Sequence, residues 1–527
     1  MDGSASLLTP KRPWKETFRA VAQRDVAVMV ALGLSAGLPL LLVFGTLSVW
    51  LTEAGVPRAE ITFFSWAALA YAFKVVWAPL IDRVPLPVLT RRLGRRRGWL
   101  LFAQCAIGLA LCGMALTDPA RAPVVMACWA VALGFASASQ DVVIDAYRIE
   151  IATEDRQGLL SGAYTVGYRI GMLLAGAGAL EIAGFLDDGA AGYAPGPWRV
   201  TYLVMAGAMG FGLITTLLIR EPDAPGDGGK VQTSYATGDY LRFVGLFLAA
   251  AAAFVAGFFL TGGVRDGLAA VLAAGLGGPL AGFLAESTRF LFALAMAGLT
   301  GFAMVRAGFA PQALVRETYI TPFRDVLVRF GRAALLLFAV IALYRIADVV
   351  MGVMANVFYV ELGFEKEVIG RISKGFGLVM TLAGGVLGGL LALRYGVMAV
   401  MVLGAVLAAA TNLLFVVLAG MGPSLPMLMV AIAADNLSAG IAGTAFIAYL
   451  SALTSRRFTA VQYALFSSMM LLLPKLIAGY AGTAVDAVGY AGFFTGTALL
   501  GVPVVFLVLL AARYAPLASL SGERRPG

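Results

Sequence analysis

The chain has 527 residues, of which 60% are hydrophobic and only 13% charged, with 39 Lys and Arg against 30 Asp and Glu and a formal net charge of +9. A mean hydropathy of +0.87 excludes an ordinary soluble enzyme and indicates an integral membrane protein. Histidine is absent, which removes His-based metal sites, Ser-His-Asp triads and His proton relays, and no G-x-x-x-x-G-K-[ST] loop is present to couple work to ATP.

Lys11, Arg12, Lys15, Arg19 and Arg24 precede the first apolar run, which is too long, and lacks the small-residue cleavage pattern, for a signal peptide. Runs of about twenty apolar residues, enough to cross roughly 30 Å of hydrocarbon as a helix, then recur along the chain. They predict about fourteen spans. The first six are 26–51, 60–81, 99–117, 123–147, 158–183 and 199–219; two more follow at 241–261 and 287–306; the last six are 333–358, 368–392, 395–420, 425–450, 459–484 and 489–512. Arg83, Arg91, Arg92, Arg95, Arg96 and Arg97 crowd one loop, and Arg148 with Arg156, Arg220 with Lys230, and Arg456 with Arg457 fall on the same side. This bias places both termini in the cytoplasm and accounts for the positive charge without nucleic acid as a partner. Cys105, Cys112 and Cys128 lie inside predicted spans, form no CxxC, and read as small packing residues.

The organisation is a tail (1–25), a six-helix bundle (26–219), an insert (220–332), a second six-helix bundle (333–513) and a cytoplasmic tail (514–527). Within the insert, 221–240 is a Pro- and Gly-rich linker, the two extra spans flank a Gly/Ala-rich segment at 262–286 with no decisive pattern, and Thr321-Pro322 reads as the start of an amphipathic interfacial helix. Its apolar face would be Phe323, Val326, Leu327 and Phe330. The halves echo each other: Ala146-Tyr147 ends the fourth span as Ala448-Tyr449 ends the tenth, and each is followed by a span with a central base, Arg169 or Lys475. Span count and echoes together predict an all-α protein of the major facilitator architecture, two six-helix bundles around a midplane site plus two extra spans.

Charges inside spans are costly and mark function by default. Asp141 and Asp145 lie one helical turn apart in the fourth span, preceded by Gln140; Lys74 is in the second, Arg169 in the fifth, Arg345 with Asp348 in the seventh, Asp435 with Asn436 in the tenth and Lys475 in the eleventh. The structural alternative is that these four bases and four acids pair as buried bridges. Eight such groups exceed what packing needs. The carboxylates Asp141 and Asp145 are the candidates for proton coupling, and Lys74, Arg169, Arg345 and Lys475 for holding an anionic substrate beside Tyr71, Gln140, Asp348, Asn412, Asp435 and Asn436. Asp82 and Arg83, with the arginines that follow, resemble a degraded form of the facilitator loop signature and are expected to gate. Gly33 with Gly37, and Gly385 with Gly389, read as close-packing sites.

These residues carry a family resemblance. The runs Gly33 to Trp50, Tyr71 to Arg83, Gly94 to Trp99 and Ser139 to Arg148, and in the second half Leu343 to Asp348, Asn412, Asp435 to Gly440, Gly443 to Phe446 and Phe458 to Ser467, resemble the anhydromuropeptide permease (AmpG-type) family over most of both bundles. The resemblance lapses at about 221–315. It implies a monomeric, proton-driven importer of GlcNAc-1,6-anhydroMurNAc and its peptides in the bacterial inner membrane, serving cell-wall recycling and, in some bacteria, β-lactamase induction, with no cofactor beyond the proton. Two other readings stay open: a facilitator for another bulky anion such as acetyl-CoA, and a membrane enzyme acting on lipid-linked sugars.

Overall fold

A computed structural model describes residues 13–57, 71, 73–187, 193–222, 235–276 and 278–514. All regular structure among them is helical, as a chain whose backbone groups must be satisfied inside lipid requires. Twelve helices there are long and apolar enough to cross a membrane. The fourteen expected spans are therefore not all accounted for: 60–81 falls mostly outside the described residues, and Thr459–Ala478, though a 20-residue helix, is not among the twelve.

The chain divides into two compact units. The larger comprises 1–82, 86–230 and 326–527. Its first half holds α1 (Trp14–Val21), α2 (Arg24–Val43), α3 (Gly45–Glu53), α4 (Ala78–Arg83, up to Asp82), α5 (Arg95–Leu116), α6 (Pro123–Ile151), α7 (Gln157–Leu173), α8 (Ala179–Leu186) and α9 (Pro195–Leu218). The smaller unit, 83–85 with 231–325, contains α10 (Thr237–Leu260), α11 (Gly262–Leu276) and α12 (Gly278–Arg306). The 262–286 segment is thus helical on either side of residue 277. α13 (Thr321–Phe330) exists, but Thr321 does not start it: helix runs on from Gln312 through a wide turn at Arg316–Ile320, with Thr321 at φ −59. Pro322 is tolerated because that wide turn releases the usual hydrogen-bonding pattern just before it.

The second half of the larger unit holds α14 (Ala334–Leu343), α15 (Ile346–Glu361), α16 (Gly377–Tyr395), α17 (Val397–Met421), α18 (Leu425–Leu453), α19 (Thr459–Ala478) and α20 (Ala481–Tyr514), the last kinked at Gly489, whose φ of 69 suits only glycine. Each half has its own apolar core. One gathers Leu42, Trp50, Ile107, Leu133 and Tyr202; the other gathers Leu337, Phe358, Phe415, Phe446 and Phe494.

Small residues set how close the helices come. α2 lies against α7 so tightly that a Cβ on Gly33 or Gly37 would strike the Tyr164 or Tyr168 carbonyl, and one on Gly167 or Gly171 the Val30 or Leu34 carbonyl. This contact fixes the backbone that carries Tyr164, Tyr168 and Arg169. Gly385 and Gly389 of α16 meet Gly162 and Gly158 of α7, joining the halves at the arginine-rich end.

Candidate functional site

Asp141, Asp145 and Arg148 follow one another at i, i+4 and i+7 along a face of α6, where all three are buried. Asp145 is held between two bases: Lys74 Nζ lies 3.7 Å from one oxygen and Arg148 Nη2 3.3 Å from the other. Lys74 reaches it from a helical break, the tight turn Lys74–Val76. That turn is pinned to α6 on both sides, since the Tyr71 hydroxyl donates to Ser137 Oγ at 2.8 Å and Trp77 Nε1 donates to Ser139 Oγ at 3.0 Å. Among the described residues, Asp141 has no ion-pair partner this close. Its hydrogen bond comes from the Tyr164 hydroxyl at 3.5 Å, and the Tyr164 ring lies 5.8 Å from that of Tyr168. With both acids ionised, Lys74, Arg148, Asp141 and Asp145 sum to zero charge.

A second cluster forms in the other half. The seventh span breaks at Arg345 (φ −102, ψ 13), so its guanidinium emerges between α14 and α15 and lies 3.7 Å from Asp348. The break is braced by Tyr344, which donates to the Met401 carbonyl at 3.0 Å and stacks on Phe446 at 4.5 Å. Asp435 has no hydrogen-bond or ion-pair partner among the described residues and lies within electrostatic reach of Asp348 and Arg345. Arg169 feels the charge of Arg345 from across the two halves. Among the described residues, half-buried Arg169 has no carboxylate partner; its one contact is with the Met172 sulfur at 3.9 Å.

Three amides and one base predicted to line the site stand apart from these clusters. Gln140 is fully buried and exchanges hydrogen bonds with Ser35, accepting from its hydroxyl and donating to its carbonyl, both at 3.2 Å, so it joins α6 to α2. Asn412, equally buried, donates to Thr497 Oγ1 at 3.1 Å and ties α17 to α20. Asn436 donates to the Ile432 carbonyl at 2.9 Å and accepts from Thr381 at 2.8 Å. An amide in a span needs partners, and each of these has at least one on a neighbouring helix, although the buried Asn412 Oδ1 has none among the described residues. Lys475 follows Pro474 on the exposed side of α19 with no acidic partner among the described residues.

Near the arginine-rich end, a latch crosses the halves. Buried Arg96 bridges Asp82 at 2.8 Å and Glu150 at 2.6 Å, and also donates to Thr459 Oγ1 at 2.5 Å. The other Asp82 oxygen accepts from the Val461 amide at 3.0 Å, so a first-half carboxylate caps the start of α19 in the second half. Arg148 reaches across too, donating to Ser451 Oγ at 2.7 Å with Tyr463 beneath its guanidinium at 5.3 Å. Arg83, expected to gate with Asp82, pairs instead with Glu317 at 3.5 Å. Glu221 caps α5, accepting from the Arg96 and Arg97 amides at 2.8 and 2.9 Å, while burial pushes its carboxyl above the usual range.

A cavity of about 320 Å³ lies elsewhere, lined by Glu53, Asp187, Tyr193 and Trp198 around the ends of α3, α8 and α9. Its polar groups are largely engaged: Trp198 Nε1 donates to Glu53 at 2.7 Å, and the Tyr193 hydroxyl donates to Asp118 at 3.0 Å.

The architecture agrees with that of solved major facilitator proteins. The proton:xylose symporter XylE superposes with a TM-score of 0.58 at 13% identity, covering 93% of this chain and 95% of that one. FucP, in an outward conformation, gives 0.53 at 10% identity over 92% and 98%. In sequence, a putative transporter AmpG 4 of Rickettsia conorii is 29% identical over 91% of this chain and 94% of its own length. The anhydromuropeptide permease of Escherichia coli is 27% identical over 93% of this chain and 80% of its own. The family described as Acetyl-coenzyme A transporter 1 matches residues 25–120. The fold is that of the major facilitator proteins, built on helices long and apolar enough to cross a membrane, and the proteins that this chain is similar to in sequence are named as transporters. Within that class, the chain resembles the AmpG-type transporters over nine-tenths of its length.

Proposed function

We propose that this protein is a proton-driven importer of GlcNAc-1,6-anhydroMurNAc and its peptides, working as a monomer in a bacterial inner membrane with both termini in the cytoplasm and the proton as coupling ion. The observation that carries the reading is the unequal setting of two carboxylates one turn apart. Asp145 is ion-paired with both Lys74 and Arg148, whereas Asp141, among the described residues, takes a hydrogen bond from the Tyr164 phenol and feels Lys74 only from beyond ion-pair distance. A proton can join or leave Asp141 without breaking an ion pair.

Charge balance couples that proton to cargo. Protonating Asp141 leaves the four-residue cluster with one excess positive charge, and Arg169 adds another with no carboxylate partner among the described residues. An anion entering beside them restores neutrality, so proton and anion are held better together than apart. Cargo with lactyl and peptide carboxylates on a sugar pair suits such a site, with the rings of Tyr164 and Tyr168 available for stacking. Import then ends when the Asp82–Arg96–Glu150 latch, taken as cytoplasmic, opens.

The test is uptake of radiolabelled GlcNAc-anhydroMurNAc into proteoliposomes, with and without an inward proton gradient. Accumulation that collapses on dissipating the gradient is expected. No uptake by demonstrably folded protein overturns the muropeptide reading. The match of residues 25–120 to the acetyl-coenzyme A transporter family favours a second reading, a coenzyme A ester as cargo. Competition of coenzyme A against muropeptide separates the two.

A further inference from the structure

The first helix belongs to neither charge cluster. Thr17 and Ala20 of α1 are buried, while Trp14, Phe18 and Val21, spaced i, i+4 and i+7, form one apolar face that is 39%, 58% and 40% exposed. The Trp14 and Phe18 rings stack at 5.7 Å, which makes that face a preformed slab. Lys15 and Arg19, one turn apart, are exposed beside it, and Arg24 follows. The helix is also held in place: Arg394, at the end of α16 in the second half, lies over the Trp14 ring at 4.6 Å and over Tyr395 at 5.2 Å.

Only Ala22 and Gln23 separate α1 from α2, the start of the first span. α1 is therefore tethered to the level at which membrane-crossing helices begin, and its other end is fastened to a second such boundary at Arg394 and Tyr395. At that depth an apolar face of Trp, Phe and Val beside two exposed cations matches a leaflet surface, with rings entering the headgroup region and cations meeting phosphates. Lys15, Arg19 and Arg24 outnumber the one acid of α1, Glu16. The favoured lipid is accordingly anionic.

We propose that α1 is a docking surface for anionic phospholipid, with Trp14, Phe18 and Val21 inserted in the leaflet interface and Lys15 and Arg19 on the headgroup phosphates. Since α1 is covalently part of the first half and stacks on Arg394 of the second, bound lipid holds a strap across the two halves.

Hydrogen exchange of the full-length protein in nanodiscs tests this, comparing phosphatidylcholine alone with phosphatidylcholine containing about 30% phosphatidylglycerol. Amides of residues 14–21 are expected to exchange at least about tenfold more slowly in the anionic bilayer. Lys15→Glu combined with Arg19→Glu should abolish that difference, and Phe18→Ser should speed exchange in both bilayers. Equal exchange of the wild-type segment in the two bilayers overturns the proposal, as does a lipid response that survives the double charge reversal. So does protection that appears only when another protein is added.

Discussion

At the scale of single residues, the question is which buried charge moves and which holds still. Asp145 is a pivot, since removing its charge strands Lys74 and Arg148 together inside the first half. Asp145→Asn should cost about 3–5 kcal/mol, read as a lowered Tm in detergent. Adding Lys74→Met should recover part of that loss, because with Asp141 ionised the single variant leaves the cluster one excess positive charge and the double variant leaves none; a purely additive cycle would exclude the pairing. Asp141→Asn differs in kind. It should keep stability and substrate counterflow but lose accumulation against a gradient, and concentrative uptake at the wild-type level would remove Asp141 from the coupling. Asp141, Asp145 and Lys74 stand out in the sequence because a charge inside an apolar run has no other ready explanation, and the structure brings the three together. Arg148 and Glu150 escaped notice because they end their span, where the positive-inside bias already explains an arginine. Gln140 and Asn412 show the limit of that argument, since an amide bonded to a neighbouring helix looks, in sequence, like one facing a cavity.

At the scale of elements, the spans owe their mutual distances to glycine and their breaks to a few local features. Gly33 and Gly37 on α2, and Gly167 and Gly171 on α7, leave no space for a methyl group against the facing carbonyls. Gly33→Ala or Gly167→Ala should therefore lower stability by about 1–3 kcal/mol through overpacking. Gly443→Ala on α18 is the control, since a Cβ there meets nothing within 4 Å and alanine is the better helix former. Equal Tm values for all three variants would contradict the close α2–α7 contact. The small-residue spacing that predicts such contacts is plain in the sequence, yet it does not name the partner: Gly385 and Gly389 pack across the halves on Gly162 and Gly158. Breaks were harder to foresee. Arg345 sits where its helix loses regularity with neither proline nor glycine at the break, so apolar periodicity carries no trace of it, whereas the turn at Lys74–Val76 precedes Pro79, which has no N–H to give the Val75 carbonyl. Thr321-Pro322 shows the reverse, a strong start signal inside a continuing helical run.

At the scale of the molecule, the proposed transport requires the two packed halves to separate at one end and close at the other, so the contacts that cross between them would set the balance of states. The span pattern made the two-bundle architecture legible, but these crossing contacts join residues hundreds of positions apart, which no local pattern reveals. Arg96 is the centre of the set. It neutralises Asp82 and Glu150 on its own half while donating to Thr459 on the other, and Asp82 then caps α19 through the Val461 amide. Opening this end exchanges those bonds for water. Arg96→Gln removes the charge that holds both carboxylates in the closed arrangement and leaves them repelling each other. If about 3 kcal/mol of the closed state's advantage is lost, the ratio of closed to open states shifts roughly a hundredfold. Spin labels at Thr153 and Arg457, exposed positions on either side of this end, report the separation once Cys105, Cys112 and Cys128 have been replaced. The variant should show a new, longer distance component while the wild type stays short. An unchanged distance distribution would mean that the glycine contacts of α7 on α16 suffice to keep this end shut, and that Arg96 serves only the first half.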